Sequence, residues 1–114
     1  MKTRLQTLSY DVAKSIVRLT DVLIKRKISY PLVHQLLKSG TSIAANIAES
    51  LQAQSRPDFA TKLAIASKEA QETLFWLMLL HDTDKVTSQE SVTLIDQTEQ
   101  LCRMLSTATR TLKK

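Results

Sequence analysis

One glycine, Gly40, and two prolines, Pro31 and Pro57, are all that punctuate a chain of 114 residues. Average domains of this length carry several times as many. Hairpin turns, Gly-rich phosphate loops and dinucleotide-binding fingerprints need glycines at fixed offsets. The scarcity excludes most nucleotide-binding folds and nearly every all-β fold. Hydrophobic residues at 43% and charged residues at 24% mark a globular chain rather than a disordered one.

Apolar residues then recur in steps of three and four, the period of one helix face. Leu5, Leu8, Val12, Ile16, Leu19 and Leu23 form the first stripe, predicting a helix from roughly residue 3 to residue 27. It stops at Ile28-Ser29-Tyr30-Pro31, where proline suits a first helical turn and disfavours helix before it. Val33, Leu36, Leu37, Gly40, Ile43, Ile47 and Leu51 form the second stripe. A mid-helix glycine costs about 1 kcal/mol relative to alanine, so Gly40 on an apolar face predicts close packing. Ser55-Arg56-Pro57-Asp58 has the form of a capping box and opens the stripe Phe59, Leu63, Ala66, Ala70, Leu74, Leu77 and His81. Asp82-Thr83-Asp84-Lys85 ends it. Thr87-Ser88-Gln89-Glu90 is a second such box, before Leu94, Thr98, Leu101, Leu105, Ala108 and Leu112. Four amphipathic helices with short connections predict an all-α fold, an antiparallel up-down-up-down four-helix bundle. With no linker or repeat, residues 1–114 read as one domain.

The formal charge of +5 is unevenly spread. Residues 1–40 hold Lys2, Arg4, Lys14, Arg18, Lys25, Arg26, Lys27 and Lys38 against Asp11 and Asp21. Residues 41–99 carry four bases and nine acids, and the remainder holds Arg103, Arg110, Lys113 and Lys114 with no acid. The first and last helices adjoin in such a bundle, so their cations are expected to merge into one face. Arg4, Arg18 and Lys25 differ by multiples of seven, as do Arg103 and Arg110. A polyanion lying along these stripes would gain salt-dependent affinity from each phosphate neutralised. The alternative is a solvated face that keeps the protein soluble. Most of Tyr10, Tyr30, Phe59, Phe75 and Trp76 read as core or packing residues, so base stacking is not expected. Arg4, Lys14, Arg18, Lys25, Arg26, Lys27, Arg103 and Arg110 are the candidate RNA- or DNA-binding residues, acting on the phosphate backbone.

Catalytic chemistry finds little support. His34 and His81 lack the Glu-x-x-His pairing of a di-iron bundle, and three Cys and His in total do not make a zinc site. His81 reads as a partly buried structural histidine and Cys102 as a small packing residue. Lys38-Ser39-Gly40-Thr41-Ser42 lies inside a helix and lacks phosphate-loop spacing. Ser42, Asn46 and Glu49 share one face of the second helix, and Glu69 and Glu72 of the third helix are placed to face them. Clustered carboxylates raise one another's pKa and suit acid-base or metal work. With no second catalytic element, the five residues read instead as a structural polar network fixing helix register. No enzyme activity, metal or cofactor is expected. A lone cysteine points to a reducing, cytoplasmic setting. The longest apolar run, Leu74 to Leu80, is seven residues and too short to span a membrane. Phe75, Trp76, Leu79 and Leu80 extend the third helix's apolar surface beyond one stripe, which suggests a partner outside the monomer.

Two segments read like a family signature. One is Gln35-Leu36-Leu37-Lys38-Ser39-Gly40-Thr41-Ser42-Ile43-Ala44-Ala45-Asn46-Ile47-Ala48-Glu49. The other begins at Ser55-Arg56-Pro57-Asp58-Phe59 and runs through Lys62–Ala66 and Lys68–Thr73 to Trp76-Leu77. Together they resemble the four-helix-bundle proteins named for ribosomal RNA intervening sequences. Those are similar to the accessory variability proteins of diversity-generating retroelements. The resemblance implies an antiparallel bundle assembled as a ring-shaped homopentamer without enzymatic activity. In the retroelement branch it also implies a basic surface that binds nucleic acid, and a reverse transcriptase as partner. Ala44 stands where many members have proline and Ser50 where they have glycine, which predicts a straighter second helix with a less abrupt end.

Overall fold

The computed structural model describes residues 2–112, in four helices: α1 (Arg4–Lys25), α2 (Tyr30–Ser50), α3 (Arg56–Asp82) and α4 (Ser88–Leu112). Among the described residues there is no strand. Each helix packs on its neighbours in sequence, and α1 closes the ring against α4, so α1 and α3 stand on one diagonal. The result is the expected four-helix bundle, elongated at 44 × 26 × 20 Å. Lys113 and Lys114 of the basic tail lie outside the described residues.

Side-chain caps fix where the helices begin. Thr87 and Glu90 form the expected reciprocal pair: the Thr87 amide donates to Glu90 Oε1 at 2.9 Å, and the Glu90 amide to Thr87 Oγ1 at 3.1 Å. Ser55 Oγ accepts from the Asp58 amide at 3.2 Å, which completes only the serine half of the expected box. Aspartate is one methylene shorter than glutamate. Thr3 and Gln6 form a full box that the stripe pattern left unread.

Helices α1 and α3 end alike. Lys27 and Asp84 adopt left-handed backbone, with φ of 62° and 59°. Ile28 then donates to the Leu23 carbonyl and Lys85 to the Leu80 carbonyl, the six-to-one bond that turns a chain sharply off a helix. Helix α2 ends without a left-handed residue, through short bonds from Leu51, Gln52 and Ala53 back to Ala48, Glu49 and Ser50. It runs unbroken through Ala44.

The stripes build the core. Val12, Ile16, Leu23, Leu36, Ile43, Leu77, Leu80, Leu101 and Leu105 are wholly buried. Leu5, Leu8, Leu37, Phe59 and Leu74 are partly buried against them, but Leu51 is exposed, because α2 stops one residue before it. Gly40 is buried where α2 meets α1, and a Cβ there would lie 2.8 Å from both γ carbons of Ile16. On the other flank of α2, the hydroxyls of Ser39 and Thr73 meet at 3.0 Å, both buried. Buried Ser9, Thr20, Ser50 and Thr98 bond back to carbonyls of their own helices, so burial costs them little.

Candidate nucleic-acid interface

All eight candidate cations are exposed, but they fall into groups with different partners. Arg4 and Arg26 turn toward α4. Arg4 donates to Gln100 Oε1 at 2.8 Å, and Arg26 holds both carboxylate oxygens of Glu90, at 2.9 Å for Nη1–Oε1. Hydrogen bonding to Arg26, helped by the Thr87 amide, pushes the Glu90 carboxyl down to about 2. Lys14 pairs with Asp11 at 3.4 Å, one turn back on α1. Among the described residues no carboxylate comes within ion-pair distance of Arg18, Lys25, Lys27, Arg103 or Arg110.

The exposed cations make two strips rather than one face. Lys14 and Arg18 border a shallow depression on the outer side of α1, floored by Ala13 and Val17. Arg103 and Arg110 line a groove along the α3–α4 seam with Gln71, Ser106 and Thr107. Arg4 brings the strips closest, because its partner Gln100 lies one turn from Arg103. Arg26 carries a compensated charge, since Glu90 neutralises it.

The aromatic residues depart from expectation. Tyr10, Tyr30 and Phe75 are 57%, 65% and 58% exposed, and only Phe59 and Trp76 pack on the core. Lys2 and Lys14 stand over the Tyr10 ring at 5.7 and 5.3 Å, cation–π distances that a protein surface tolerates at small gain. Tyr30 stacks on His34 at 5.9 Å. These rings sit on three different helices, so they form no continuous stacking platform.

The expected polar network is only partly assembled. Asn46 Nδ2 donates to the Ser42 carbonyl and hydroxyl at 2.9 and 3.0 Å, within α2. Glu72 accepts weakly from the Trp76 indole at 3.4 Å, within α3. Desolvation, with the neighbouring Glu72 charge, raises the Glu69 carboxyl above its ordinary value, against Lys68 and Lys38. Glu49 lies apart, in a groove with Gln52, Gln54, Asp58 and Lys62. Among the described residues no three His, Cys, Asp or Glu side chains come close enough to hold a metal. A buried side-chain hydrogen bond joins α2 to α3 between Ser39 and Thr73, neither of which is among the expected network residues. Cys102 is buried, and burial pushes its thiol up, as befits a packing residue. His81 is half-exposed, with Nδ1 3.1 Å from Asp82.

The model of the 23S rRNA-intervening sequence protein family matches residues 2–107. The chain belongs to that family. A crystal structure of a protein of unknown function, from the S23 ribosomal protein family of Bacteroides thetaiotaomicron, is similar to it throughout. The two share 38% identity over 92% of this chain and 97% of the other, with a TM-score of 0.87. No curated protein matches. Among the described residues no helix is long and apolar enough to cross a membrane.

Proposed function

We propose that this family member is a non-enzymatic, homo-oligomeric bundle that binds RNA or DNA through phosphate contacts. The observation that carries the reading is the set of exposed cations with no carboxylate partner among the described residues: Arg18, Lys25 and Lys27 at α1, Arg103 and Arg110 on α4. Arg4 is bonded to the uncharged side chain of Gln100 rather than to a carboxylate, and extends the set. Lys14 and Arg26 contribute less, since each already has a carboxylate partner. Such a surface positions a phosphate backbone without reading bases.

The resemblance to retroelement accessory proteins supports a ring-shaped pentamer as the assembled form and a reverse transcriptase as a further partner. Fluorescence anisotropy with duplex or hairpin RNA across a salt series tests the binding. Affinity should fall steeply with salt, and R18E/K25E should weaken it and reduce the logarithmic salt slope by about 2. An affinity unchanged between low and moderate salt overturns the phosphate mechanism.

A second reading, a protein–protein assembly module with no nucleic-acid role, is favoured by exposed Phe75, Met78 and Leu79 on α3. An intact oligomer that binds no RNA or DNA at low salt supports this second reading over the first.

A further inference from the structure

The two cationic strips differ in what lies between their charges. The depression on α1 has Ala13 and Val17 at its floor, and Lys14 is already paired with Asp11. The groove on the α3–α4 seam, about 300 Å³ in volume, is polar apart from buried Cys102: Gln71 lines it from α3, and Arg103, Ser106, Thr107 and Arg110 from α4. Thr98, Thr109 and Thr111 of α4 turn their hydroxyls back onto helix carbonyls. Among the described residues those of Ser106 and Thr107 make no such bond, and neither arginine has an ion-pair partner.

Arg103 and Arg110 stand seven residues apart on one flank of α4, with Ser106 and Thr107 on the turn between them. Glu99, one turn before Arg103, is the nearest acid along α4 and lies outside the groove's lining. No acid follows it in the chain. The acids nearest Gln71 on α3, Glu69 and Glu72, face the other flank, toward Lys38 of α2 and the Trp76 indole. The groove therefore offers two guanidiniums, two hydroxyls and an amide, with no carboxylate among them to compete for the donors.

A phosphodiester inside a strand carries one negative charge, whereas a terminal monoester carries about 1.5 to 2 and presents three acceptor oxygens. Two guanidiniums match the second, since each can take two oxygens at once. We propose that the α3–α4 groove is a phosphate-monoester site, with Arg103 and Arg110 holding the dianion from either side. Ser106, Thr107 and Gln71 donate to its remaining lone pairs. The monoester is that of a phosphorylated strand end or of a free nucleotide. This rests on the phosphate-contact reading above and narrows it at α4, leaving backbone diesters to the α1 strip.

The test compares one RNA hairpin carrying a 5′-phosphate with the same hairpin ending in a hydroxyl, by fluorescence anisotropy. Above about pH 7 the phosphorylated hairpin should bind about tenfold more tightly. That preference should shrink as pH falls below about 6, where the monoester regains its second proton. R103Q or R110Q alone should erase most of the preference, and R18Q should weaken both hairpins alike and leave it standing. All three side chains are exposed, so circular dichroism should show an unchanged helical spectrum. Excess AMP that removes the preference supports the site with free nucleotide as a source, and a preference that AMP leaves intact supports it with strand ends alone. Equal affinity for the two hairpins overturns the monoester site while leaving the phosphate-contact reading intact. A preference that survives R103Q/R110Q overturns its assignment to this groove. No binding of either hairpin or of AMP overturns both.

Discussion

Helix α2 and the α1–α4 seam hold the bundle together in opposite ways. Along α2 the contacts are short and made by small groups: Gly40 receives the branched Ile16 side chain, and Ser39 touches Thr73. Across the α1–α4 seam, the thinnest of the four, long polar side chains reach over the surface: Arg4 to Gln100 and Arg26 to Glu90. The first arrangement draws on dispersion and excluded water, is insensitive to salt, and has no slack for added atoms. The second is exposed, screened and tolerant. Backbones approach closely where side chains are small, so α2 lies tight against both its neighbours while the α1–α4 seam is held by clasps.

The contrast can be broken most forcefully at the core. Leu36→Ala, on the buried side of α2, should cost about 2–5 kcal/mol in chemical denaturation. Next comes Gly40→Ala. The new methyl gains about 1 kcal/mol of helix propensity, yet overpacking costs about 1–3 kcal/mol, so the variant should lose stability. Ile16→Val should not rescue it, because valine keeps all three atoms that the methyl meets. Ile16→Ala should show favourable coupling with Gly40→Ala in a double-mutant cycle. A stabilised Gly40→Ala would mean that the approach is looser than 2.8 Å.

Smaller effects sharpen the clasp side. Lys27→Gly relieves a left-handed residue beside Arg26 and should raise stability by about 0.5–1 kcal/mol. Asp84→Gly should gain less, since aspartate tolerates that conformation better than lysine. The smallest effect is acid sensitivity. Glu90 is held down to about 2 from an ordinary 4.5, so its contribution is present above about pH 4.5 and is lost as pH falls toward 2. Glu90→Gln keeps a cap but removes the charge, and should flatten that acid limb in pH-dependent thermal melts.

Much of this was legible in sequence because it is local. The stripes, the Thr87–Glu90 box and the crowding at Gly40 depend on spacings of three and four, and the structure repeats them. The identity of Gly40's neighbour was not legible, and neither was Arg26's hold on Glu90, 64 residues away. Ser39 and Thr73 were not legible either, because a hydroxyl gives no sign in sequence that a partner will be buried beside it. For the candidate interface, residue types and exposure were readable. The division into two strips was not, because it depends on which flank of α4 faces α3. Burial of Leu80 beside exposed Phe75 and Leu79 depends in the same way on how α3 is rotated, which neither apolar residue type reveals.

Glu90 belongs to two structures at once, the cap of α4 and the clasp on α1. The first turn of α4 therefore cannot fray on its own. Opening the cap releases Arg26, the residue just past the end of α1, and pulling α1 away strips the cap of one of its supports. Amides at the start of α4 and at the end of α1 should exchange with solvent as one cooperative unit, although 64 residues separate the two partners. At this end of the bundle, local opening is a shared event between the first helix and the last.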